Sequence, residues 1–165
     1  MNLTELAAQL GDALQRLGAQ VSTAESCTGG GIAEAITRIA GSSAWFEAGY
    51  ITYSNAQKTR QLGVPAELFE QVGAVSAEVV QAMARGAQRN SGARFAVAVS
   101  GIAGPGGGTK EKPVGFVYIA VSTANAQLCK SFRLFGNREQ IIQRSSNAAL
   151  WMVKQLLKMP ADSGL

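Results

Sequence analysis

Three short stretches of this chain carry the residues that could do chemistry. The first is Val21-Ser22-Thr23-Ala24-Glu25-Ser26-Cys27-Thr28-Gly29-Gly30-Gly31. It reads as a strand running into a glycine-rich turn and then a helix, with apolar positions at Ile32, Ala35, Ile36, Ile39 and Ala40 and a stop at Gly41. Ser26, Cys27 and Thr28 then sit on the turn. Backbone N–H groups at a helix start point outward and favour negative charge, and glycines let a substrate approach the backbone. A hydroxyl beside such donors is suited to acyl transfer. The same spacing also suits Ser26 and Thr28 as plain helix caps.

The second stretch is Thr52-Tyr53-Ser54-Asn55 with Lys58, on an expected short helix. Lys58 is by itself an ordinary exposed lysine. It gains weight because the chain has no histidine. That excludes a Ser-His-Asp triad, a Cys-His pair and histidine-bound metal, so a serine nucleophile needs another base. Lysine can serve if burial lowers its pKa enough to leave it neutral. Tyr53 is either a core aromatic or a hydroxyl reaching the site. Cys27 is a rival nucleophile without an imidazole partner. The third stretch, Gly101-Ile102-Ala103-Gly104-Pro105-Gly106-Gly107-Gly108-Thr109, follows Ser100. It fits neither the Walker A pattern nor G-x-G-x-x-G. It suits a backbone cradle for phosphate or sugar, or equally a flexible surface loop.

The elements that must position these residues are legible from periodicity. Leu3, Leu6, Ala7, Leu10, Ala13, Leu14 and Leu17 make an amphipathic first helix, with Asn2 and Glu5 as a capping box and Gly18 as its stop. Tyr50 to Ser54 is expected as a strand, Asn55 as the cap of the helix that carries Lys58, and Pro65 as the start of another short helix. Ser76 caps a longer helix that closes near Gly92. Phe95 to Ser100 is a strand buried on both faces. Gly115 to Thr123 and Leu128 to Phe135 form an antiparallel pair turning at Ala124-Asn125-Ala126. Asn137 and Gln140 box the start of the last helix, and Met159 to Leu165 reads as a frayed tail.

Helices alternating with strands predict a three-layer α/β/α sandwich over a mixed, mostly parallel sheet of about five strands, a single domain over 1–165. Ligands of such sheets bind at the carboxyl ends of the strands, which here carry Ser26, Tyr53 with Ser54, and Ser100 with Gly101. The bulk composition adds limits. A net charge of +4 without a basic stripe gives no support to nucleic-acid binding. Two distant cysteines make neither a disulfide framework nor a zinc pattern. No signal peptide or membrane-length apolar run is evident, so a cytoplasmic protein is expected, with no membrane partner, no metal and no cofactor. Assembly as a homodimer is compatible with the sequence and not required by it.

Five motifs together carry a resemblance: Ala24-Glu25-Ser26-Cys27-Thr28-Gly29-Gly30, Gly41-Ser42-Ser43-Ala44-Trp45-Phe46, Thr52-Tyr53-Ser54-Asn55 with Lys58, Gly73-Ala74-Val75-Ser76, and Ser100-Gly101-Ile102-Ala103-Gly104-Pro105. Over nearly the whole chain the sequence resembles the CinA C-terminal family, whose stand-alone bacterial members are nicotinamide-nucleotide amidases. The resemblance implies an α/β/α sandwich and hydrolysis of nicotinamide mononucleotide to nicotinate mononucleotide and ammonia, in the recycling of NAD. The family is described as Ser/Lys amidohydrolases, and motif matching puts the serine on Ser26 and the lysine on Lys58. On that reading Tyr53 positions or relays, backbone groups around Thr28 and Gly29 hold the oxyanion, and Gly30 lies with them among the substrate-binding residues. Asn55, Ser100, Gly101, Gly104 and Arg138 contact ribose or phosphate. The alternatives are a non-catalytic nucleotide-binding or competence- and DNA-damage-related regulatory module on the same scaffold, and a cysteine amidase using Cys27.

Overall fold

The computed structural model describes residues 1–158. The expected tail at 159–165 lies outside the described residues. In chain order the elements are α1 (Leu3–Leu17), β1 (Val21–Glu25), α2 (Gly31–Thr37), a 3-10 turn (Ser42–Ala44), β2 (Phe46–Ile51), α3 (Asn55–Leu62), α4 (Glu67–Gln71), α5 (Ala77–Ser91), β3 (Phe95–Gly101), β4 (Phe116–Ser122), β5 (Gln127–Arg133) and α6 (Arg138–Leu157). The sheet order is β2-β1-β3-β4-β5. β1 pairs in parallel with both β2 and β3, while β3–β4 and β4–β5 are antiparallel. The sheet is therefore mixed as expected, but its pairings divide evenly between the two kinds. The parallel half is the half that carries the first two chemical stretches.

Alternation along β3 explains the layers. Phe95, Val97 and Val99 join the core beneath α1, α2 and α6, while Ala96 and Ala98 join the core beneath α3 and α5. Successive strand residues face opposite sides, so one strand feeds both layers. The second face is built of small residues, Ala24, Ala96, Ala98 and Ala120, against Val79, Val80 and Met83 of α5. Small side chains on the sheet let the helix axis approach closely. The same economy holds between helices: a Cβ on Gly86 of α5 would fall 2.0 Å from the Leu62 carbonyl oxygen of α3.

Local signals set most boundaries. Asn2 Oδ1 accepts from the Glu5 N–H at 2.8 Å and Glu5 Oε2 from the Asn2 N–H at 3.2 Å, the predicted capping box. Asn137 and Gln140 repeat it on α6, with both bonds at 2.9 Å. Ser76 caps α5 through Val79 N–H.

Four expectations change. α2 stops at Thr37, and Gly41, at φ 84°, opens the 3-10 turn instead of ending a longer helix. β2 ends at Ile51 because its only sheet partner among the described residues, β1, ends at Glu25, opposite Ile51. Only the Thr52 N–H still reaches back, to the Glu25 carbonyl at 2.9 Å. With Thr52 to Ser54 freed from the sheet, Ser54 and not Asn55 caps α3, its Oγ accepting from Gln57 N–H at 3.2 Å. Pro65 lies ahead of α4, whose first residue is Glu67. Among the described residues no helix is long and apolar enough to cross a membrane.

Candidate active site

Because β1, β2 and β3 run in parallel, their carboxyl ends, Glu25, Ile51 and Gly101, lie at one edge of the sheet. The three stretches singled out in the sequence leave the sheet there. Ser26 extends the ladder by one bond, its N–H donating to the Val99 carbonyl at 3.2 Å. The chain then turns through Gly29 (φ 59°) and Gly30 (φ 107°), left-handed conformations that favour glycine. A Cβ on Gly29 would meet nothing within 4 Å, so this side of the turn is open. Ser26 is 8 % exposed, and its hydroxyl has no partner among the described residues and is not sealed from solvent.

The start of α2 is not free, contrary to the expectation from the sequence. Glu25, fully buried, receives the Ile32 N–H on Oε1 at 2.9 Å and the Ala33 N–H on Oε2 at 3.0 Å. The Thr28 hydroxyl donates to Oε1 at 2.6 Å. The helix N-terminus thus holds an anion of its own. Thr28 offers no free side-chain donor to a substrate, and neither Ser26 nor Thr28 caps α2. Gly29 N–H is also committed, to the Ser26 carbonyl at 3.0 Å. The turn N–H groups of Thr28 and Gly30 have no acceptor among the described residues. Glu25 was missed in the sequence as a functional residue. The available signal was a lone acid ending a strand, three residues before a threonine and just ahead of a helix.

Lys58 lies one turn into α3 and is 2 % exposed, not the surface lysine that its type suggests. Its Nζ donates to the Tyr53 carbonyl at 3.0 Å. Among the described residues the only ion pair is Arg38–Glu34 on the surface, so Lys58 has no carboxylate partner. Burial holds its pKa below the usual lysine value; a thiolate at Cys27 would pull the other way. Cys27 is itself buried, and burial pushes its pKa up to about 11, against the pull of N–H groups of Cys27 and Gly101. At neutral pH the thiol is therefore held protonated, which disfavours a cysteine nucleophile.

Tyr53 is exposed, and its hydroxyl accepts from Arg138 Nη2 at 3.1 Å. Arg138, the first residue of α6, also donates through Nη1 to the Gly104 carbonyl at 2.7 Å. One guanidinium therefore joins the β2–α3 connection to the glycine-rich loop, with three of its five N–H groups left over. Asn55, exposed at the start of α3, lies two residues beyond Tyr53.

Ser100 is 2 % exposed, and its hydroxyl donates to the Ala74 carbonyl at 2.9 Å, tying β3 to the α4–α5 connection. Gly101 has a packing reason to be glycine: a Cβ would lie 2.6 Å from Val117 Cγ2 and 2.9 Å from the Phe116 carbonyl oxygen on β4. Gly104, at φ 79°, would push a Cβ to 2.4 Å from Val114 Cγ1. A valine at 104 would therefore disrupt the loop's own fold. Gly106 is the cleaner probe, since a Cβ there meets nothing within 4 Å. If the loop binds substrate, Gly106→Ala should raise KM by roughly 3- to 10-fold with kcat nearly unchanged, the signature of lost uniform binding. Steady-state kinetics that left KM unmoved, or moved kcat alone, would count against a binding role.

A cavity of about 550 Å³ lies between β5 and α6 and is lined by Phe132, Gln140, Gln143, Arg144, Asn147, Ala148 and Trp151. None of the residues of the sheet-edge site lines it.

Residues 3–157 match the model of the CinA C-terminal domain. The chain is 63 % identical over 154 residues to a nicotinamide-nucleotide amidohydrolase PncC of Pseudomonas putida, covering 93 % of this chain and 96 % of that one. It is 49 % identical to the nicotinamide-nucleotide amidohydrolase PncC of Escherichia coli K12 over 146 residues, 88 % of each. The crystal structure of the competence/damage inducible protein CihA from Agrobacterium tumefaciens superposes with a TM-score of 0.91 at 46 % identity, covering 94 % of this chain and 96 % of that one. With a strand–turn–helix site at the parallel sheet edge and a match spanning nearly its whole length, the chain belongs to the CinA C-terminal domain family.

Proposed function

We propose that this chain is a nicotinamide-nucleotide amidohydrolase, which converts nicotinamide mononucleotide to nicotinate mononucleotide and ammonia through a Ser26 acyl-enzyme. The observation that carries the mechanism is Lys58: buried, without a carboxylate partner among the described residues, with a depressed pKa, and one turn into the helix that leaves the same sheet edge as Ser26. Neutral Lys58 takes the hydroxyl proton as Ser26 Oγ attacks the carboxamide carbon. The Thr28 and Gly30 N–H groups receive the oxyanion. Collapse breaks the C–N bond, and the proton passes from Lys58 to the departing ammonia. Water then attacks the ester with Lys58 again as base, releasing the carboxylate and restoring Ser26.

Tyr53 acts through its carbonyl, which orients Lys58, and through its hydroxyl, which steadies Arg138. The remaining Arg138 donors suit the substrate phosphate, because the planar guanidinium fork can meet two phosphate oxygens at once. Asn55 and the Gly101 to Gly108 loop flank that position, while Ser100 and Gly104 hold the loop in place. Relatives of high identity and near-complete coverage carry the amidohydrolase name, which supports the substrate assignment.

The test is ammonia release from nicotinamide mononucleotide, compared with nicotinamide, which lacks ribose and phosphate. Turnover of the nucleotide with little of the free base is expected. No ammonia from either would point to the non-catalytic nucleotide-binding module.

A further inference from the structure

Among the described residues Glu25 is the one fully buried acid, and the mechanism above gives it no part. Its charge is met by three neutral donors, the Thr28 hydroxyl and the N–H groups of Ile32 and Ala33, at 2.6, 2.9 and 3.0 Å. These donors bracket the turn: Thr28 lies within it, and Ile32 and Ala33 lie in the first turn of α2, just beyond its glycines. Glu25 immediately precedes Ser26, and its carbonyl is itself fixed by the Thr52 N–H at 2.9 Å. The carboxylate is therefore a strut from the end of β1 across to the start of α2, spanning Ser26 to Gly30.

Without the strut the turn is a weak structure. It contains two successive left-handed glycines and two internal N–H···O bonds, from Gly29 to Ser26 and from Gly31 to Thr28. Glycine has the widest backbone freedom of any residue. A set of N–H groups useful to an oxyanion must instead be held in place before the reaction.

We propose that Glu25 is a positioning residue for the reaction: bound to Thr28, Ile32 and Ala33, it holds the Ser26–Gly30 turn so that the Thr28 and Gly30 N–H groups face the carbonyl attacked by Ser26. The proposal rests on Ser26 being the nucleophile. It also accounts for Thr28, whose hydroxyl serves the strut and not the substrate.

Glu25→Gln keeps the shape but presents an NH₂ to one of three donors. Thr28→Val keeps the shape and the helix N–H bonds but removes the link inside the turn. Each should lower kcat by about 10- to 100-fold, as sub-ångström misplacement of catalytic groups does. KM should change by less than about 3-fold, since the lost interaction is made in the transition state. The pH midpoint of kcat/KM should stay where it is in the wild type, because the strut does not touch Lys58. Thr28→Ser, which keeps the hydroxyl, should recover most of the loss, and the double variant Glu25→Gln/Thr28→Val should be no worse than about the poorer single variant.

Near-wild-type kcat in Thr28→Val, a shifted pH midpoint in either variant, or losses that multiply in the double would each overturn the proposal. Thr28→Val keeps the test decisive if Glu25→Gln does not fold. Ser26→Ala is assayed beside them. Activity in Ser26→Ala would overturn the nucleophile assignment itself, whereas an inactive Ser26→Ala with an active Thr28→Val would overturn the strut alone.

Discussion

Ser26→Ala should lower kcat by roughly 10³- to 10⁶-fold, the scale on which removal of a nucleophile acts in covalent catalysis. The Ser26 hydroxyl has no hydrogen-bond partner among the described residues, and the residue sits where the strand ends at an open turn. Its removal should therefore cost little stability, and KM should change far less than kcat. Two neighbouring nucleophiles serve as controls. Ser54→Ala removes the cap of α3 and should cost about 1 kcal/mol of stability while most activity remains. Cys27→Ala should also retain most activity, because the thiol, with its pKa raised to about 11, is protonated at neutral pH. A Ser26→Ala enzyme that still releases ammonia at more than a few per cent of the wild-type rate would exclude the acyl-enzyme route.

Lys58→Arg should be nearly as inactive as Lys58→Ala, each losing about 10²- to 10⁴-fold, the usual contribution of a general base. Arginine keeps the positive charge but cannot lose its proton in the working range. In the wild type the active form is the deprotonated lysine, so kcat/KM should rise with pH and level off above the depressed pKa of Lys58. Substantial activity in Lys58→Arg would make the lysine a charge anchor and not a base.

The same burial has a consequence for stability. Folding lowers the lysine pKa, so between the folded and unfolded values the unfolded chain binds more protons and stability rises with pH. Below the folded value both states are protonated, and the full desolvation penalty is present. Lys58→Met should therefore raise Tm at neutral pH, by about 2–4 °C for each kcal/mol of penalty relieved in a chain of this size. The gain should shrink as pH is raised. An active site that costs stability in this way is a familiar trade-off. A Lys58→Met protein less stable than the wild type would show that the Tyr53 carbonyl more than offsets the burial of the charge.

Features that depend only on near neighbours in the chain are legible in the residues. The capping boxes of Asn2 with Glu5 and Asn137 with Gln140 form as read, because each needs only residues three apart. The strand–turn–helix around Ser26 is also local, since Gly29 and Gly30 permit a backbone path that other residues rarely adopt. The absence of histidine, read from the composition alone, directed attention to Lys58. The tertiary structure decided the rest, because burial and partners depend on segments far apart in the chain. Whether Lys58 is exposed depends on what packs over α3, and whether β2 reaches Ser54 depends on where β1 ends. Gly101 and Gly104 are read locally as a ligand cradle, yet a Cβ on either would strike Val117 or Val114. Glu25 makes the same point: periodicity placed it on the strand, but only the folded turn brings Thr28, Ile32 and Ala33 to its carboxylate, because a buried charge must find donors and the returning helix supplies them.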